Sequence, residues 1–395
     1  MATTYDFDTP VDRYGTDCIK FDFAVERKHP IDTLSYWVAD MDFRTAPEIL
    51  DALRARIDHG IFGYTNIKPH YFEAVRLWML RHYDYAVERR WLVETPGVVF
   101  ALGTAIHAFT QPGEAIVVQT PVYYPFSSTI RASGRKVVPS PLVWESDGWR
   151  CDFDDFEKKI ADSGARLFLL CNPHNPGGKS WRREELLRLG EICLRHGVTV
   201  VSDEIHADFT WGANRHTCFA TLSDALADIA VVCTSPSKSF NLAGLQVSNI
   251  FIRNEKLRAA FRAARDATGY DEPHALGLVA CEAAYAKGER WLREAKSYIN
   301  ENLNRAVAFL SRKADPRIRA LKPEATYLLW IDLRAVGLPD AELNALLSEK
   351  AKLWLDAGTM FGEEGAGFVR MNAACPWSYL EQGLRRLDET IRGVQ

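Results

Sequence analysis

Five short apolar runs punctuate the middle of the chain: AIVVQT (115–120), RLFLLC (166–171), VTVVSD (198–203), IAVVCTS (229–235) and VSNIFI (247–252). They alternate with longer segments of helical period. Each run is rich in β-branched residues and apolar on both faces. A strand of that kind needs cover above and below, as in a mostly parallel sheet with helices on either side. Between two of the runs, RREELLRLGEICLRHG sets Leu186, Leu187, Leu189, Ile192 and Cys193 on one helical stripe, and Gly197 follows as a C-terminal stop. The alternation predicts an α/β fold with a mostly parallel central sheet flanked by helices.

The two ends read differently. Residues 1–45 are irregular and aromatic and contain the tract YWVADMDF (36–43). After about position 275 come long helices (277–312), a strand-like YLLWIDL (327–333), another helix (340–356) and a closing helix from Ser378. This pattern predicts a large domain over 46–285 and a small α+β domain built from 1–45 and 286–395. With 395 residues the chain can bury a large core without metal or disulfide staples. Lys and Arg number 48 against 52 Asp and Glu, a net charge of −4 with no basic stretch, which argues against nucleic acid and anionic membrane as partners. No run of about 18 apolar residues can span a bilayer, and the N-terminus lacks the basic start and apolar stretch of a signal peptide. The eight cysteines are scattered without a C-x-x-C pair, so reduced thiols, a cytoplasmic location and no metal site are the expectation.

Four motifs fall at or beyond the ends of candidate strands, the edge where open α/β sheets bind ligands. Ser235-Pro236-Ser237-Lys238 follows IAVVCTS and offers a lysine for a phosphate or for imine formation with a carbonyl. Asp203 closes VTVVSD, where a buried carboxylate needs a cation to satisfy it. Asn172-Pro173-His174-Asn175-Pro176-Gly177-Gly178 is a stiff turn that can aim an amide at a ligand oxygen. Thr95-Pro96-Gly97-Val98-Val99 leads into a helix-like segment (101–110) and offers backbone N–H groups and a positive dipole end to a phosphate.

In this order the motifs resemble those of fold-type I pyridoxal-phosphate enzymes, the class I/II aminotransferase superfamily, over essentially the whole chain. The tracts YWVADMDF, FGYT (62–65), TPVYYPF (120–126), SDEIHADF (202–209), SPSKSFNLAGLQ (235–246), EATYLLWIDLR (324–334) and FVRMNAACP (368–376) are similar to the cystathionine β-lyase, or C–S lyase, branch. The resemblance implies pyridoxal 5'-phosphate as cofactor and an amino acid as substrate. It implies that Lys238 bonds the cofactor's aldehyde carbon and later takes the substrate Cα proton. Asp203 would hold the pyridine nitrogen protonated, and Asn175 and His206 would face the phenolic oxygen. Tyr123 would stack on the ring, with Tyr124 the competing candidate. Ser235 and the backbone of Val98 and Val99 would cradle the phosphate, with Tyr64 reaching over from the other subunit of a homodimer with shared active sites. Arg370 would grip the substrate α-carboxylate beside Asn175.

Two positions depart from the wider superfamily pattern. Gly177 stands where many relatives carry Thr, and Gln246 stands where aminotransferases usually carry a phosphate-binding Arg. The second departure favours α,β-elimination on a cysteine thioether over amino-group transfer. An aminotransferase with the same Lys238, Asp203 and Asn175 remains the alternative, and a regulator that retains the fold is a further one.

Overall fold

In the computed structural model, which describes residues 5–394, the apolar runs become the middle of one eight-stranded sheet. In chain order the strands are β1 (Leu34–Ser35), β2 (Leu92–Thr95), β3 (Ala115–Thr120), β4 (Lys136–Glu145), β5 (Gly148–Cys151), β6 (Leu167–Cys171), β7 (Thr199–Asp203), β8 (Ala230–Thr234), β9 (Ser248–Phe251), β10 (Arg319–Ala320), β11 (Leu328–Asp332), β12 (Leu353–Trp354), β13 (Asp356–Ala357) and β14 (Phe368–Asn372). The large sheet has the order β2-β9-β8-β7-β6-β3-β4-β5. Neighbours from β8 to β4 run parallel. The run at 247–252 joins this sheet but reverses direction, pairing antiparallel with both β8 and β2. Its connection from β8 holds only a short 3₁₀ turn (Ala243–Leu245), whereas a parallel neighbour needs a long crossover.

Alternate strand residues feed two separate cores. Ile116, Val118, Leu167, Leu169, Val201 and Val231 pack with Ala101, Leu102, Ala105 and Phe261 on one face. Val117, Phe168, Leu170, Val200 and Val232 pack with Phe156, Ile160, Leu186, Leu189 and Ile192 on the other. That alternation is why the runs read apolar on both faces. The stripe over 183–196 forms the helix Arg183–His196, closed by Gly197 in the left-handed conformation at φ 63°.

A second sheet has the order β10-β11-β14-β13 and is antiparallel throughout. The N-terminal segment reaches this end of the chain through β1, which pairs parallel with β12. The expected helices over 277–312 are Ala275–Lys287 and Glu289–Arg312. They part at Gly288, where a Cβ would come within 2.5 Å of the Phe240 ring and 2.7 Å of the Ala284 carbonyl. The expected helix over 340–356 is shorter. Asp340–Ala345 is α-helical, Leu346–Lys350 forms a π turn, and the chain then turns extended into β12 and β13. Pairing of Leu353 with Leu34 and of Asp356 with Arg370 overrides the local helical preference.

Candidate active site

The carboxyl ends of β6, β7 and β8 and the start of the helix Val98–Phe109 open into one cavity of about 540 Å³. Because parallel strands all point the same way, residues that follow three different strands arrive at a single edge. Lys238, in the loop after β8, donates from Nζ to the Ala39 carbonyl at 2.7 Å. Burial pushes its ammonium down to about 8, with the Asp40 charge pulling the other way. Asp203 ends β7, and its Oδ1 accepts the Ile205 N–H at 3.1 Å. Burial pushes this carboxyl up to about 7, against the pull of that N–H and of Lys238. His206 is buried, and burial together with the nearby Lys238 and Arg370 charges holds it well below the usual histidine range. Its Nδ1 has no protein partner, so a neutral imidazole stands in the cavity with an unused nitrogen.

Asn175, in the turn after β6, ties three elements together. Its Oδ1 accepts from Arg370 Nη1 at 2.8 Å, and its carbonyl accepts the Tyr123 N–H at 2.9 Å. Because the amide oxygen is engaged, its NH₂ is left to donate elsewhere. Arg370 lies on β14, pairs with the buried Asp356 and donates from Nη2 to the Trp37 carbonyl at 2.8 Å. Its Nε–H is buried without a partner. Tyr123 and Tyr124 both line the cavity, with ring centroids 5.3 Å apart.

At the far side, Gly97 has φ 118°, a conformation open to glycine, and turns the chain into the helix that begins at Val98. The first-turn N–H groups of such a helix lack intrahelical acceptors. Ser235 Oγ donates to the Val247 carbonyl at 2.7 Å and accepts the Ser237 N–H at 3.1 Å. Gln246 also faces this end and holds the Ala243 carbonyl through Nε2 at 3.0 Å. The glycine at 177 has a steric cause: a Cβ there would lie 2.4 Å from Trp149 Cδ1. Tyr64 is not part of the cavity of its own chain and is 94% exposed.

The sequence places the tract 36–43 at the substrate pocket without its contacts, and other residues at the site gave no warning. Asp356 was hidden inside a stretch read as helix; as a strand residue it faces Arg370. Trp37, Val38 and Ala39 wall the cavity from an irregular segment. Tyr327 donates to the Ala39 carbonyl at 2.9 Å, so this carbonyl is shared between Tyr327 and Lys238. Just beyond, Lys20 is 1% exposed and contacts Asp42 at 2.8 Å and Asp40 at 3.3 Å, while Arg13 bridges the same two carboxylates at 2.6 Å each.

The description "Aminotransferase class I and II" belongs to the family model that matches residues 38–387. Cystathionine beta-lyase PatB of Bacillus subtilis (strain 168) is 47% identical over 385 residues, spanning 98% of this chain and 99% of its own. Protein MalY of Escherichia coli (strain K12) is 38% identical over 99% of this chain and 100% of its own. The crystal structure of cystalysin from Treponema denticola, which contains a pyridoxal 5'-phosphate cofactor, matches with a TM-score of 0.95 at 34% identity, covering 99% of this chain and 100% of that one. With a family match across most of its length and full-length relatives of this kind, the chain belongs to the class I and II aminotransferase family of pyridoxal-phosphate-dependent enzymes, in its C–S lyase branch.

Proposed function

We propose that the protein cleaves the Cβ–S bond of an L-cysteine thioether by α,β-elimination, giving pyruvate, ammonia and a thiol. One observation carries this reading. In a chain 47% identical throughout to a cystathionine beta-lyase, Lys238, Asp203, Asn175 and Arg370 converge on a single cavity. The residues present fit pyridoxal phosphate. Asp203 is a buried carboxylate without a full cationic partner, and a protonated ring nitrogen would supply one. The free amide NH₂ of Asn175 and the orphaned His206 side chain suit an oxygen on the ring. Tyr123 offers an aromatic face. The N–H groups of Val98 and Val99 suit a phosphate, helped by Ser235 once its hydroxyl turns from Val247. The cofactor, when bound, supplies a sink for the electron pair left at the substrate Cα.

This chain's own residues do the rest. Arg370 uses its unpartnered Nε–H toward the substrate α-carboxylate, and its tie to Asn175 and Asp356 fixes the plane of the guanidinium. Lys238, pushed down to about 8, is free of its proton in a sizeable fraction near neutral pH and takes the Cα proton. Loss of the thiolate from Cβ leaves an unsaturated amine that water hydrolyses to pyruvate and ammonia. Trp37, Tyr124 and Ile19 line the cavity and limit water around the reacting carbon.

The homodimer belongs to the same proposal. Tyr64 and its neighbours Ile57, Ile61 and Phe62 are exposed side chains in one stretch of chain, the placement expected if Tyr64 serves the cavity of a second copy. Purified holoprotein incubated with L-cystathionine should release pyruvate and free thiol in equal amounts. Lys238→Ala should lower that rate by about 10³-fold, within the usual range for a general base. Pyruvate release no faster than in this variant, or amino-group transfer to a 2-oxo acid without thiol, would overturn the reading.

A further inference from the structure

A lyase of this kind must also hold the arm that leaves with sulfur, and Arg370 is already committed to the α-carboxylate. A second guanidinium sits on the ring of Trp37, a residue of the cavity wall. Arg27 Cζ lies 4.9 Å from the centroid of the Trp37 ring. The other neighbours of that ring form a stack: Trp37 on Trp354 at 4.6 Å and His29 on Trp354 at 4.3 Å. The stack fixes Trp37, and Trp37 in turn relates the two arginines. Its carbonyl accepts from Arg370 at 2.8 Å while its ring carries Arg27. Trp37 and Tyr124 both line the cavity. Burial and Asp356 raise the Tyr124 hydroxyl above its usual range, and the Arg370 and Arg27 charges both act against that rise, so Arg27 reaches this wall electrostatically. Arg27 itself is exposed, and among the described residues no carboxylate pairs with it. A guanidinium held against an aromatic ring without an acidic partner keeps its N–H fork available for a planar anion.

We propose that Arg27 binds a carboxylate on the leaving arm, so that the preferred substrates are cysteine thioethers whose sulfur substituent carries a carboxylate. The proposal rests on the lyase reading above and narrows its substrate class. Cystathionine, with a distal carboxylate, falls inside the class, and S-alkyl cysteines fall outside it.

The test uses two probes of nearly equal shape, S-(2-carboxyethyl)-L-cysteine and its neutral carboxamide, with pyruvate release by the holoenzyme as readout. The wild type should favour the carboxylate in kcat/KM by about fivefold, the upper end for a charged pair at an exposed site. Arg27→Gln should bring the ratio of the two toward unity, and Arg27→Lys should restore part of it. The preference should also shrink as salt is raised, because an exposed pair is screened. A ratio that Arg27→Gln leaves unchanged would overturn the assignment of Arg27 while the lyase reading stood. If neither probe nor cystathionine yields pyruvate, the lyase reading itself fails.

Discussion

The cavity has two walls of different origin. One is the carboxyl edge of the large sheet, where β6, β7 and β8 deliver Asn175, Asp203 and Lys238. The other is the irregular segment before position 45, which delivers Trp37, Val38 and Ala39. On the first wall the residues are placed by backbone pairing between strands: Cys171 lies opposite Asp203, and Asp203 opposite Cys233. On the second they are placed by side chains. The carbonyls of Val38 and Asp40 accept from Asn372 Nδ2 at 2.7 and 2.5 Å, and Arg13 and Lys20 grip Asp40 and Asp42. The difference suggests a division of labour, with charge for the chemistry on the sheet edge and a buried ionic clamp on the segment facing it.

Asp203→Asn tests the first wall and gives the largest effect of the variants that compare the two walls. The substitution keeps shape and removes the negative charge that a ring cation would meet, so kcat should fall by about 10²-fold or more, the usual scale for losing one preorganised electrostatic group. The thermal midpoint should hold or rise, because Asp203 is a buried carboxylate pushed up to about 7 and its charge is a burden to the cofactor-free fold. A variant that retained turnover but unfolded easily would reverse the roles assigned to the two walls.

Asp42→Asn tests the second wall and should do the opposite. Lys20 is almost completely buried, and losing one of its two carboxylates leaves a cation less well compensated. Breaking a buried pair costs about 3 kcal/mol at the lower end of the usual range, and the remaining contact with Asp40 argues for that lower end. Chemical unfolding should show the loss directly, as a lower denaturant midpoint at unchanged slope. The holoenzyme rate should change by a few-fold at most. A large loss of rate at unaltered stability would show that the clamp takes part in the chemistry.

The same division explains what the sequence made legible. Strands buried on both faces announce themselves as apolar runs, and a lysine, a carboxylate and an Asn-Pro turn just beyond such runs stand out because polar residues there need a reason. The reversed direction of β9 was not legible, since a run of residues carries no sign of its polarity within a sheet. Asp356 was missed because Leu346–Lys350 continues a helical pattern right up to the point where β12 pairs with β1. The contacts of Trp37, and the place of Arg27 beside it, could be located only once the chain had folded, because nothing periodic marks an irregular segment held by ion pairs and ring stacking.

The smallest effect is also the most discriminating, because it concerns a place where the walls meet electrically. Asp40 belongs to the clamp, yet its charge supports the protonated form of Lys238 against burial. Burial alone would raise the Asp40 carboxyl, but Lys20, Arg13 and Lys238 outweigh it and hold it below the usual range, so it stays charged at neutral pH. In the cofactor-free protein, capture of added pyridoxal phosphate requires the neutral amine, so the capture rate should climb as pH passes through the Lys238 value of about 8. Removing the negative charge with Asp40→Asn makes the ammonium easier to deprotonate. The curve should therefore move to lower pH, by an amount on the order of one unit or less at the effective dielectric of such sites. Asp40 is the strongest charge holding Lys238 protonated and Asp42 is not among its largest influences, so Asp42→Asn, which weakens the same clamp, serves as the control and should move the midpoint less. Equal shifts in the two variants would mean that loosening the segment, and not the Asp40 charge, sets the lysine, and the two walls would then be coupled through structure alone.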